Sequence, residues 1–437
     1  MKLSKSGLKN IKLNNNEDMF AVQQILLDSG QLKQYASGVF GLGNILIKAK
    51  QNIENIIRDE FDKNDLVEIY LPTIQPKETW ERSGRYEHYV SDGTMLVTET
   101  NHGTLCLAPT AEEAVIEFLE NELSSYKQLP VIVYQIGEKY RNEIRNRGYL
   151  FRGKAFPMMD AYSFDKDFEG LKNSYSKVKK CYFNIFKKLE LNAIPVVADN
   201  GSIGGKKSEE FMLISELGED TILYNKNNNM GLNTEILEKE NYEDILKNEY
   251  NISNISEFEK VKSIELGHIF QLGTVYTESM KSYYTSQDEK QLPFVMGCYG
   301  IGISRTLATI YETNRIIKND SVVGFSLPIH ITPYLATIIA TNSKKEEAEE
   351  LYTSLQEAGV SLILDDRYDK KNTFGQKLNN ANVLGAPYVV ILGDKIEEGF
   401  VEVENIKTGK NFKLEISKFK ELAQESFNKK IYLEELI

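Results

Sequence analysis

The chain has 437 residues, of which 41% are hydrophobic and 27% charged, and its formal net charge is −12. This length exceeds a single core of ordinary size and predicts two or three domains. The negative charge excludes nonspecific, whole-surface binding to nucleic acid, which needs clustered Lys and Arg, although it leaves room for a local basic face.

The sequence offers no sign of a membrane or secreted protein. No segment approaches the roughly 18 consecutive apolar residues of a membrane span, and the basic start lacks the apolar stretch of a secretory signal. We therefore expect a cytoplasmic protein with no membrane partner. The cysteines Cys106, Cys181 and Cys298 lack the paired spacing of metal ligands, which predicts neither a disulfide nor a structural zinc ion.

Hydrophobic periodicity predicts alternating helices and strands through the first half of the chain. The predicted helices lie at 17–29, 44–61, just after Pro76, from about Thr110 onward, and at 168–189. The predicted strands lie at 67–71, 95–98, 104–107, 131–140, 156–164, 193–198 and 209–215. The strands at 131–140 and 156–164 bracket a turn-rich segment, which predicts two strands joined by a long loop.

The second half begins with a change of composition. Residues 225–262 are polar and rich in Asn, Glu and Lys, which predicts a short connector, of low order or with small local structure, outside the main core. Strands at 263–271 and 293–299 and a helix at 302–313 follow. Beyond Pro328, strands and helices alternate at 334–340, 345–358, 360–364, 373–384 and 388–392. This alternation is typical of a small α/β domain and predicts two domains, 1–328 and 329–437.

Arg141 and Glu143 are two residues apart in a segment that reads as strand, and such side chains share one face. A guanidinium can hold phosphoryl oxygens bidentately, which makes Arg141 a candidate for the α-phosphate of ATP. At the start of the next strand, Phe156 can lie against a purine, and Arg152 can reach the outer phosphates. An isolated Arg-x-Glu is usually a charged surface hairpin, so this segment alone does not decide the function.

The segment 296–305 (MGCYGIGISR) runs from an apolar strand through closely spaced glycines into a helix that carries Arg305. Glycines let the backbone approach a phosphate closely, and a helix N-terminus favours anions. Arg305 is therefore a candidate for the γ-phosphate. The spacing differs from the dinucleotide-binding fingerprint, and by itself the segment favours a tight junction between strand and helix.

Together and in this order, the two arginine segments resemble motifs 2 and 3 of class II aminoacyl-tRNA synthetases, and 71–73 (LPT) resembles motif 1, the dimer interface of that family. Five runs are similar to the bacterial type of prolyl-tRNA synthetase: 71–84 (LPTIQPKETWERSG), 126–135 (YKQLPVIVYQ), 160–164 (DAYSF), 264–273 (IELGHIFQLG) and 296–302 (MGCYGIG). Near the C-terminus, 364–367 (LDDR) and 385–388 (GAPY) resemble the anticodon-binding module of the family.

The resemblance implies an α+β catalytic domain with an antiparallel class II sheet flanked by helices, a C-terminal α/β anticodon-binding domain, and a homodimer. It also implies that L-proline and ATP form prolyl-adenylate, which is transferred to the 3′ end of proline tRNA. Mg²⁺ is the expected metal ion. Arg141 and Arg305 would stabilise the charge that develops on the phosphoryl groups.

The resemblance also implies a proline pocket. Thr110 and Glu112 lie in a loop, 108–113 (APTAEE), that engages the substrate amine, and a carboxylate is the expected partner of an ammonium group. His268, Cys298 and Phe164 lie on segments that wall the ring pocket, and Arg141 would also face the proline carboxylate.

Two further residues complete the nucleotide site in this interpretation. Gln271 is the candidate for the ribose or phosphate region of ATP, alongside Glu143. Glu265 is the candidate Mg²⁺ ligand, because this hard ion prefers oxygen.

In the C-terminal domain, Arg367, Phe374, Lys377 and Lys395 are candidates for phosphate contacts and base stacking with tRNA. An ordinary solvated face is an equal alternative for each of them.

One departure concerns proofreading. Many bacterial relatives carry a large editing domain between motifs 2 and 3, and the stretch 225–262 is too short to contain it. Hydrolysis of mischarged tRNA within this chain is therefore not expected, and a separate editing protein becomes a candidate partner. Two other hypotheses are a regulatory protein that has lost catalysis and an enzyme that loads a carrier protein, but the three phosphate arginines oppose the first and the C-terminal domain the second.

Overall fold

The computed structural model describes residues 1–10, 19–199, 201–205, 207–227, 229–238, 242–250, 252 and 254–437. The helices in this part of the chain are α1 Ala21–Ser29, α2 Asn44–Asp62, α3 Lys77–Ser83, α4 Tyr86–Ser91, α5 Glu112–Leu119, α6 Phe168–Lys188, α7 Tyr242–Tyr250, α8 Val275–Ser279, α9 Ile303–Thr313, α10 Lys345–Glu357, α11 Phe374–Ala381 and α12 Ile416–Lys429.

The strands in the same ranges are β1 Leu32–Ala36, β2 Val39–Leu42, β3 Val67–Glu68, β4 Ile74–Pro76, β5 Leu96–Thr100, β6 Gly103–Leu107, β7 Val131–Tyr140, β8 Ala155–Asp165, β9 Ile194–Ala198, β10 Lys207–Ile214, β11 Asp220–Asn225, β12 Met230–Asn233, β13 Glu259–Gly273, β14 Tyr283–Thr285, β15 Gln291–Pro293, β16 Val295–Gly302, β17 Arg315–Lys318, β18 Ser321–Phe325, β19 Ala336–Ala340, β20 Leu362–Leu364, β21 Tyr388–Leu392, β22 Phe400–Asn405 and β23 Asn411–Glu415.

One compact unit comprises Glu54–Arg147 and Arg152–Thr306 and is built on a nine-stranded sheet. The strand order is β10-β9-β12-β11-β13-β16-β8-β7-β3. Its central strands, β13, β16, β8 and β7, pair antiparallel throughout. The sheet therefore has the antiparallel arrangement that the family resemblance implies.

Helix α6 covers one face of this sheet. Its N-terminus is capped by Asp167, whose side chain accepts a hydrogen bond from the Gly170 backbone N–H at 2.8 Å. Apolar residues at helical spacing, including Tyr182, turn toward the sheet, where the Tyr182 ring lies 5.1 Å from that of Phe211. Tyr299 is on this covered face, because its ring centre lies 6.2 Å from that of Tyr175 of α6, and the Ser163 hydroxyl lies 3.1 Å from the Tyr299 hydroxyl. Since side chains alternate between the two faces along a strand, the sequence neighbours of Ser163 and Tyr299 lie on the opposite face.

The prediction that 225–262 lies outside the main core is wrong. Strand β12 pairs with both β9 and β11 inside the nine-stranded sheet. Leu232, Ile236 and Leu246 are buried in one cluster with Val197 of β9. The prediction failed because the stretch is polar on average, although it contains a few apolar residues whose spacing allows one buried face. Residues 228, 239–241, 251 and 253 of this stretch lie outside the described residues.

The other compact unit comprises Met1–Ile53, Gly148–Phe151 and Leu307–Ile437. Its five-stranded sheet has the order β20-β19-β21-β22-β23, in which β19, β20 and β21 are parallel and β22 and β23 antiparallel. The predicted alternation of strand and helix is confirmed as far as β21, whereas β22, β23 and α12 were not predicted. The predicted domain division at residue 328 stays a prediction.

Some predicted bounds also changed. The first helix was predicted at 17–29 and is observed from Ala21, with residues 17 and 18 outside the described ones. The strand predicted at 67–71 is short, covering only Val67–Glu68. Within the described residues, none of the helices is long and apolar enough to cross a membrane.

Candidate active site

The face of the nine-stranded sheet opposite α6, here called the site face, carries a row of aromatic and sulfur side chains. Phe270 of β13 is paired with Cys298 of β16, which is paired with Tyr162 of β8. Directly paired residues project from the same face. Phe164 lies one step further on β8, and His268 stacks on Phe270 with ring centres 3.9 Å apart. Three predicted pocket residues, His268, Cys298 and Phe164, are thus on one face.

Glu112, the first residue of α5, is fully buried beside this row. Its Oε2 accepts hydrogen bonds from Thr110 Oγ1 at 2.5 Å and from Arg85 Nη2 at 2.9 Å. Its Oε1 accepts one from Cys298 Sγ at 3.1 Å. The structure therefore brings together Thr110, Glu112 and Cys298, as predicted, and adds Arg85, which the sequence did not indicate.

The protonation states at Glu112 follow from these contacts. Burial disfavours the charged carboxylate, but the Arg85 guanidinium and the hydrogen bonds from Thr110 and Cys298 outweigh it and lower the pKa of Glu112. Burial and the neighbouring Glu112 charge raise the pKa of Cys298 well above its ordinary value, so the thiol keeps its proton. The result is a charged carboxylate against an apolar wall, which suits a cationic amine.

A buried network fixes the loop that carries Thr110 and Glu112. Lys139 Nζ lies 2.7 Å from Oδ1 of Asp160, and Tyr162 OH donates to Oδ2 of Asp160 at 2.9 Å. The same Tyr162 oxygen accepts a hydrogen bond from the Ala111 backbone N–H at 3.1 Å. The network connects β7 and β8 to the start of α5. Sequence reasoning did not identify Lys139, Asp160 or Tyr162 as functional.

Arg141 follows β7 and reaches the same loop. Its Nε donates to the Pro109 carbonyl at 3.2 Å, and its guanidinium carbon lies 5.4 Å from the centre of the Phe156 ring. Phe156 is on the site face, because it is an even number of residues from Tyr162 on β8. Arg141, Phe156 and the Thr110 loop therefore lie together, as predicted for an ATP and amino-acid site.

The predicted pairing of Arg141 and Glu143 on one strand face is wrong. Strand β7 ends at Tyr140, and the Glu143 N–H donates to the Arg141 carbonyl at 2.6 Å in a tight turn. Glu143 instead accepts a hydrogen bond from Arg152 Nε at 2.7 Å, and Arg152 Nη1 donates to Glu219 at 2.9 Å. Because the chain turns directly after β7, the alternation of side chains along a strand does not apply to Arg141 and Glu143. Arg152 and Glu143 form an ion pair of their own.

Arg305, in the first turn of α9, reaches β13. Its Nη1 donates to the Glu265 carbonyl at 3.0 Å and to Glu265 Oε2 at 2.6 Å. Glu265 Oε1 lies 3.5 Å from Nδ1 of His268, and Glu210 Oε1 lies 3.7 Å from the same nitrogen. The guanidinium and His268 lower the pKa of Glu265 despite burial, whereas burial and the Glu265 charge raise the pKa of Glu210 to about 8.

Arg141 and Arg305 are on the same face of the sheet. Arg141 lies over Phe156 of β8, and Arg305 is bonded to Glu265 beside His268 of β13. Between them, Gly300 of β16 is paired with His268 on one side, and it has no side chain to cover the backbone. The two guanidinium groups and the Glu112 carboxylate therefore lie on one face of the sheet, an arrangement suited to a polyphosphate beside an amine.

Comparison with known proteins identifies the family of the chain. Residues 95–314 match the family model for the class II core domain of tRNA synthetases (G, H, P, S and T), and residues 334–426 match that for the anticodon binding domain. A proline–tRNA ligase of Rickettsia bellii is 35% identical over 432 residues, covering 96% of this chain and 97% of the relative. One from Wolbachia sp. subsp. Drosophila simulans is 36% identical, covering 95% and 98%.

The chain belongs to the proline–tRNA ligase family. Its fold resembles that of prolyl-tRNA synthetase from Cryptosporidium parvum complexed with halofuginone and AMPPNP, with a TM-score of 0.72 and 14% identity over 94% of this chain and 78% of the other. A complex of the same synthetase with L-proline and AMP gives a TM-score of 0.71 and 15% identity, covering 93% and 78%.

Gln271 is the ATP candidate that the structure separates from the others. It is paired with Gly297 on the α6 face, one residue beyond Phe270, whose side chain is on the site face. The assignment of Gln271 to ATP stays a prediction. The strand register does not favour it, because it places Gln271 on the α6 face.

The tRNA candidates of this family member lie in the other compact unit. Arg367 donates to Asp365 at 2.8 and 2.7 Å, and Phe374 packs on a buried cluster that includes Ile339. Lys377 is buried, whereas Lys395 is exposed. Of these four side chains, Lys395 is the exposed one, and the roles of all four stay predictions.

Proposed function

We propose that this chain activates L-proline with ATP to form prolyl-adenylate and then transfers the prolyl group to the 3′ end of proline tRNA. The observation that carries the proposal is the common face shared by the Glu112 carboxylate, Arg141 and Arg305. A free amino acid and a nucleoside triphosphate require an anionic group and cationic groups at neighbouring positions. The names of the full-length relatives support proline as the amino acid.

In the first step, Glu112 binds the proline ammonium, and the apolar wall that includes Cys298 and Phe164 packs against the ring. The proline carboxylate attacks the α-phosphorus in line, with Arg141 beside both groups, and pyrophosphate leaves on the Arg305 side. Fixed guanidinium groups stabilise the charge that develops during the transfer. In the second step, the terminal ribose hydroxyl of the tRNA attacks the adenylate carbonyl and AMP leaves.

We assign Glu265 as the residue that would hold Mg²⁺, with Glu210 as a second oxygen donor. The carboxylate oxygens of these two residues and a His268 nitrogen all lie within 4.8 Å of one another. The two carboxylates fit a hard ion, whereas the imidazole does not. When bound, Mg²⁺ would neutralise charge on the ATP phosphates. Glu265 also holds Arg305, so one carboxylate would orient both the guanidinium and the ion.

The anticodon-binding domain is the proposed contact with tRNA, through Arg367, Phe374, Lys377 and Lys395. We also propose a homodimer in the cytoplasm, with a separate protein responsible for editing. Support for the dimer comes from the sheet edge: β3 is the terminal strand, its residue Val67 is 56% exposed, and Tyr70, two residues after the end of the strand, is 77% exposed. A Tyr70→Glu variant that remains dimeric by light scattering would contradict this interface.

The test of function is pyrophosphate exchange with each of the twenty amino acids, followed by charging of proline tRNA. Proline-dependent exchange and charging are expected. Exchange with serine or threonine alone would overturn the substrate assignment. Exchange with proline but no charging of tRNA would instead support an enzyme that loads a carrier protein.

A further inference from the structure

Arg85 contacts the carboxylate of Glu112. In the proposed reaction it does not act on the proline carboxylate or the α-phosphate of ATP. Its Nη2 donates to Glu112 Oε2 at 2.9 Å and to Glu113 Oε2 at 2.6 Å, and its Nε donates to Glu113 Oε1 at 2.7 Å. The Arg85 side chain is 10% exposed, and both carboxylates are fully buried. Arg85 thus joins two buried acids at the start of α5.

We propose that Arg85 is the positioning residue for amino-acid binding: its guanidinium holds the Glu112 carboxylate in the one orientation that accepts the substrate ammonium. The inference rests on the proposed function, because it assigns Arg85 a role in the recognition of the same amine.

The charges around Arg85 favour this role. Glu112 and Glu113 carry two negative charges and Arg85 one positive charge, which leaves the buried group with one net negative charge. An uncompensated buried charge is costly, and a bound ammonium group at Glu112 relieves that cost. The group formed by Arg85, Glu112 and Glu113 therefore complements a single positive charge, and the protonated nitrogen of proline carries one such charge.

The hydrogen bonds set the direction of the free lone pairs. Glu112 Oε2 accepts hydrogen bonds from Arg85 and Thr110, at 2.9 and 2.5 Å. Glu112 Oε1 accepts a hydrogen bond from the Cys298 thiol at 3.1 Å, and a thiol is a weak donor. Oε1, on the side of the Cys298 wall, therefore keeps acceptor capacity for the N–H groups of a substrate.

Aromatic rings hold the guanidinium in place. Its carbon lies 5.1, 5.0 and 4.7 Å from the ring centres of Trp80, Tyr89 and Tyr276. Tyr89 OH also accepts a hydrogen bond from Arg85 Nη1 at 3.1 Å. A lysine keeps the charge but cannot reproduce a planar fork that donates in several directions.

The ionisation of Glu112 depends on the same contact. Burial alone would raise the pKa of Glu112, and the nearby Arg85 charge is the leading cause that lowers it instead. Loss of the charge at position 85 is therefore expected to move the protonation of Glu112 to higher pH. A residue with a purely structural role has no reason to produce that shift.

The experiment compares Arg85→Met, Arg85→Lys and the control Arg82→Met in proline-dependent pyrophosphate exchange. Arg82 is a matched control because it also bonds to α5 and the residue that follows it, at Glu117 and Glu120, and does not contact Glu112. Arg85→Met is expected to raise KM for proline about 10- to 100-fold, the loss of one charged hydrogen bond, and to leave KM for ATP unchanged. The acid limb of the kcat/KM profile for proline moves to higher pH.

Arg85→Lys separates charge from geometry. It retains the positive charge, so the acid limb stays near that of the wild type, while the lost fork raises KM for proline. Arg82→Met changes neither quantity. Melting temperatures identify any variant that fails to fold. If Arg85→Met fails to fold, the KM for proline of Arg85→Lys decides whether Arg85 positions Glu112.

The outcomes distinguish the two proposals. If the wild-type chain shows no exchange with proline, the proposed function is wrong. If the wild type is active and a folded Arg85→Lys or Arg85→Met variant keeps the wild-type KM for proline and pH profile, the positioning role of Arg85 is wrong and the function stands.

Discussion

Lys139 Nζ lies 2.7 Å from Oδ1 of Asp160, and the two side chains are 2% and 4% exposed. This buried ion pair is on the site face, where Asp160 also accepts hydrogen bonds from Gln135 and Tyr162 at 2.9 Å each. Since Tyr162 in turn accepts from the Ala111 N–H, the pair supports the loop that presents Glu112. We therefore expect substitutions of this pair to affect both stability and substrate binding.

We expect Lys139→Met to destabilise the unit that holds the nine-stranded sheet by about 3–5 kcal/mol, because it leaves a buried carboxylate without its cation. Thermal melting measures this, and proline-dependent exchange at a permissive temperature should show a raised KM for proline. Lys139→Met combined with Asp160→Asn is expected to be more stable than Lys139→Met alone. A double variant that is less stable would contradict the assignment.

The arginines of the site face should act mainly on the chemical step. Arg141→Ala and Arg305→Ala are each expected to lower kcat for pyrophosphate exchange about 10²- to 10³-fold, as observed when one fixed donor to a developing charge is removed. The control is Arg58→Ala, which breaks the partly exposed pair with Glu68, at 3.0 Å, and a 3.4 Å hydrogen bond to Asn55. Wild-type kcat in either site variant would remove that arginine from the mechanism.

Arg152 is expected to be less important than these two. It is 41% exposed in its ion pairs with Glu143 and Glu219, and such pairs contribute only about 0–1 kcal/mol to stability. Arg152→Ala should therefore keep the wild-type melting temperature and raise KM for ATP if the side chain turns to the outer phosphates. An unchanged KM for ATP would show that the pair is merely structural.

The sequence predicted this site unevenly, and the differences have physical causes. Thr110, Glu112 and Cys298 were predicted because they occur in ordered motifs, and the structure joins them by direct hydrogen bonds. Arg85 was missed because its partners are on another helix, 27 and 28 residues away, and periodicity carries no information on such ion pairs.

Local geometry explains the remaining errors. The placement of Glu143 failed because strand alternation applies only up to Tyr140, where β7 ends. Strand β12 was missed because its few apolar residues, among them Leu232, lie in a polar stretch, where average composition outweighs a short pattern. The antiparallel sheet itself followed from the family resemblance and is confirmed.

Asp165 gives the stability of the chain a pH dependence. It is fully buried between β8 and α6, where Ser174 Oγ donates to Oδ1 at 2.7 Å, and burial raises the pKa of Asp165 to about 6. Between about pH 4 and 6 the unfolded chain loses this proton before the folded chain does, so the free energy of unfolding falls as the pH rises.

Asp165→Asn removes that titration. Relative to the wild type, the variant should gain up to about 3 kcal/mol as the pH rises from about 4 to 7, since the shift is roughly two pH units. Melting temperatures of both proteins across this range test the prediction. Ser174→Ala, which removes a donor to the carboxylate, should extend the fall in stability to higher pH. A constant difference between Asp165→Asn and wild type would contradict the raised pKa.

Lys377 and Lys395 should respond differently to substitution, although both were predicted to contact tRNA. Lys377 Nζ donates to the carbonyls of Ala340 and Asp365 at 3.3 and 3.0 Å and lies 3.5 Å from the centre of the Tyr368 ring. Lys377→Met removes both buried hydrogen bonds and should destabilise its unit by about 1–3 kcal/mol.

Lys395→Ala, at an exposed position, should raise KM for tRNA in charging assays without a change in melting temperature. Pyrophosphate exchange, which needs no tRNA, should be unaffected by Lys395→Ala and, below its melting transition, by Lys377→Met. If Lys377→Met abolishes charging at an unchanged melting temperature, Lys377 contacts tRNA directly and the buried contacts are secondary. If Lys395→Ala charges tRNA with the wild-type KM, that side chain belongs to an ordinary solvated face.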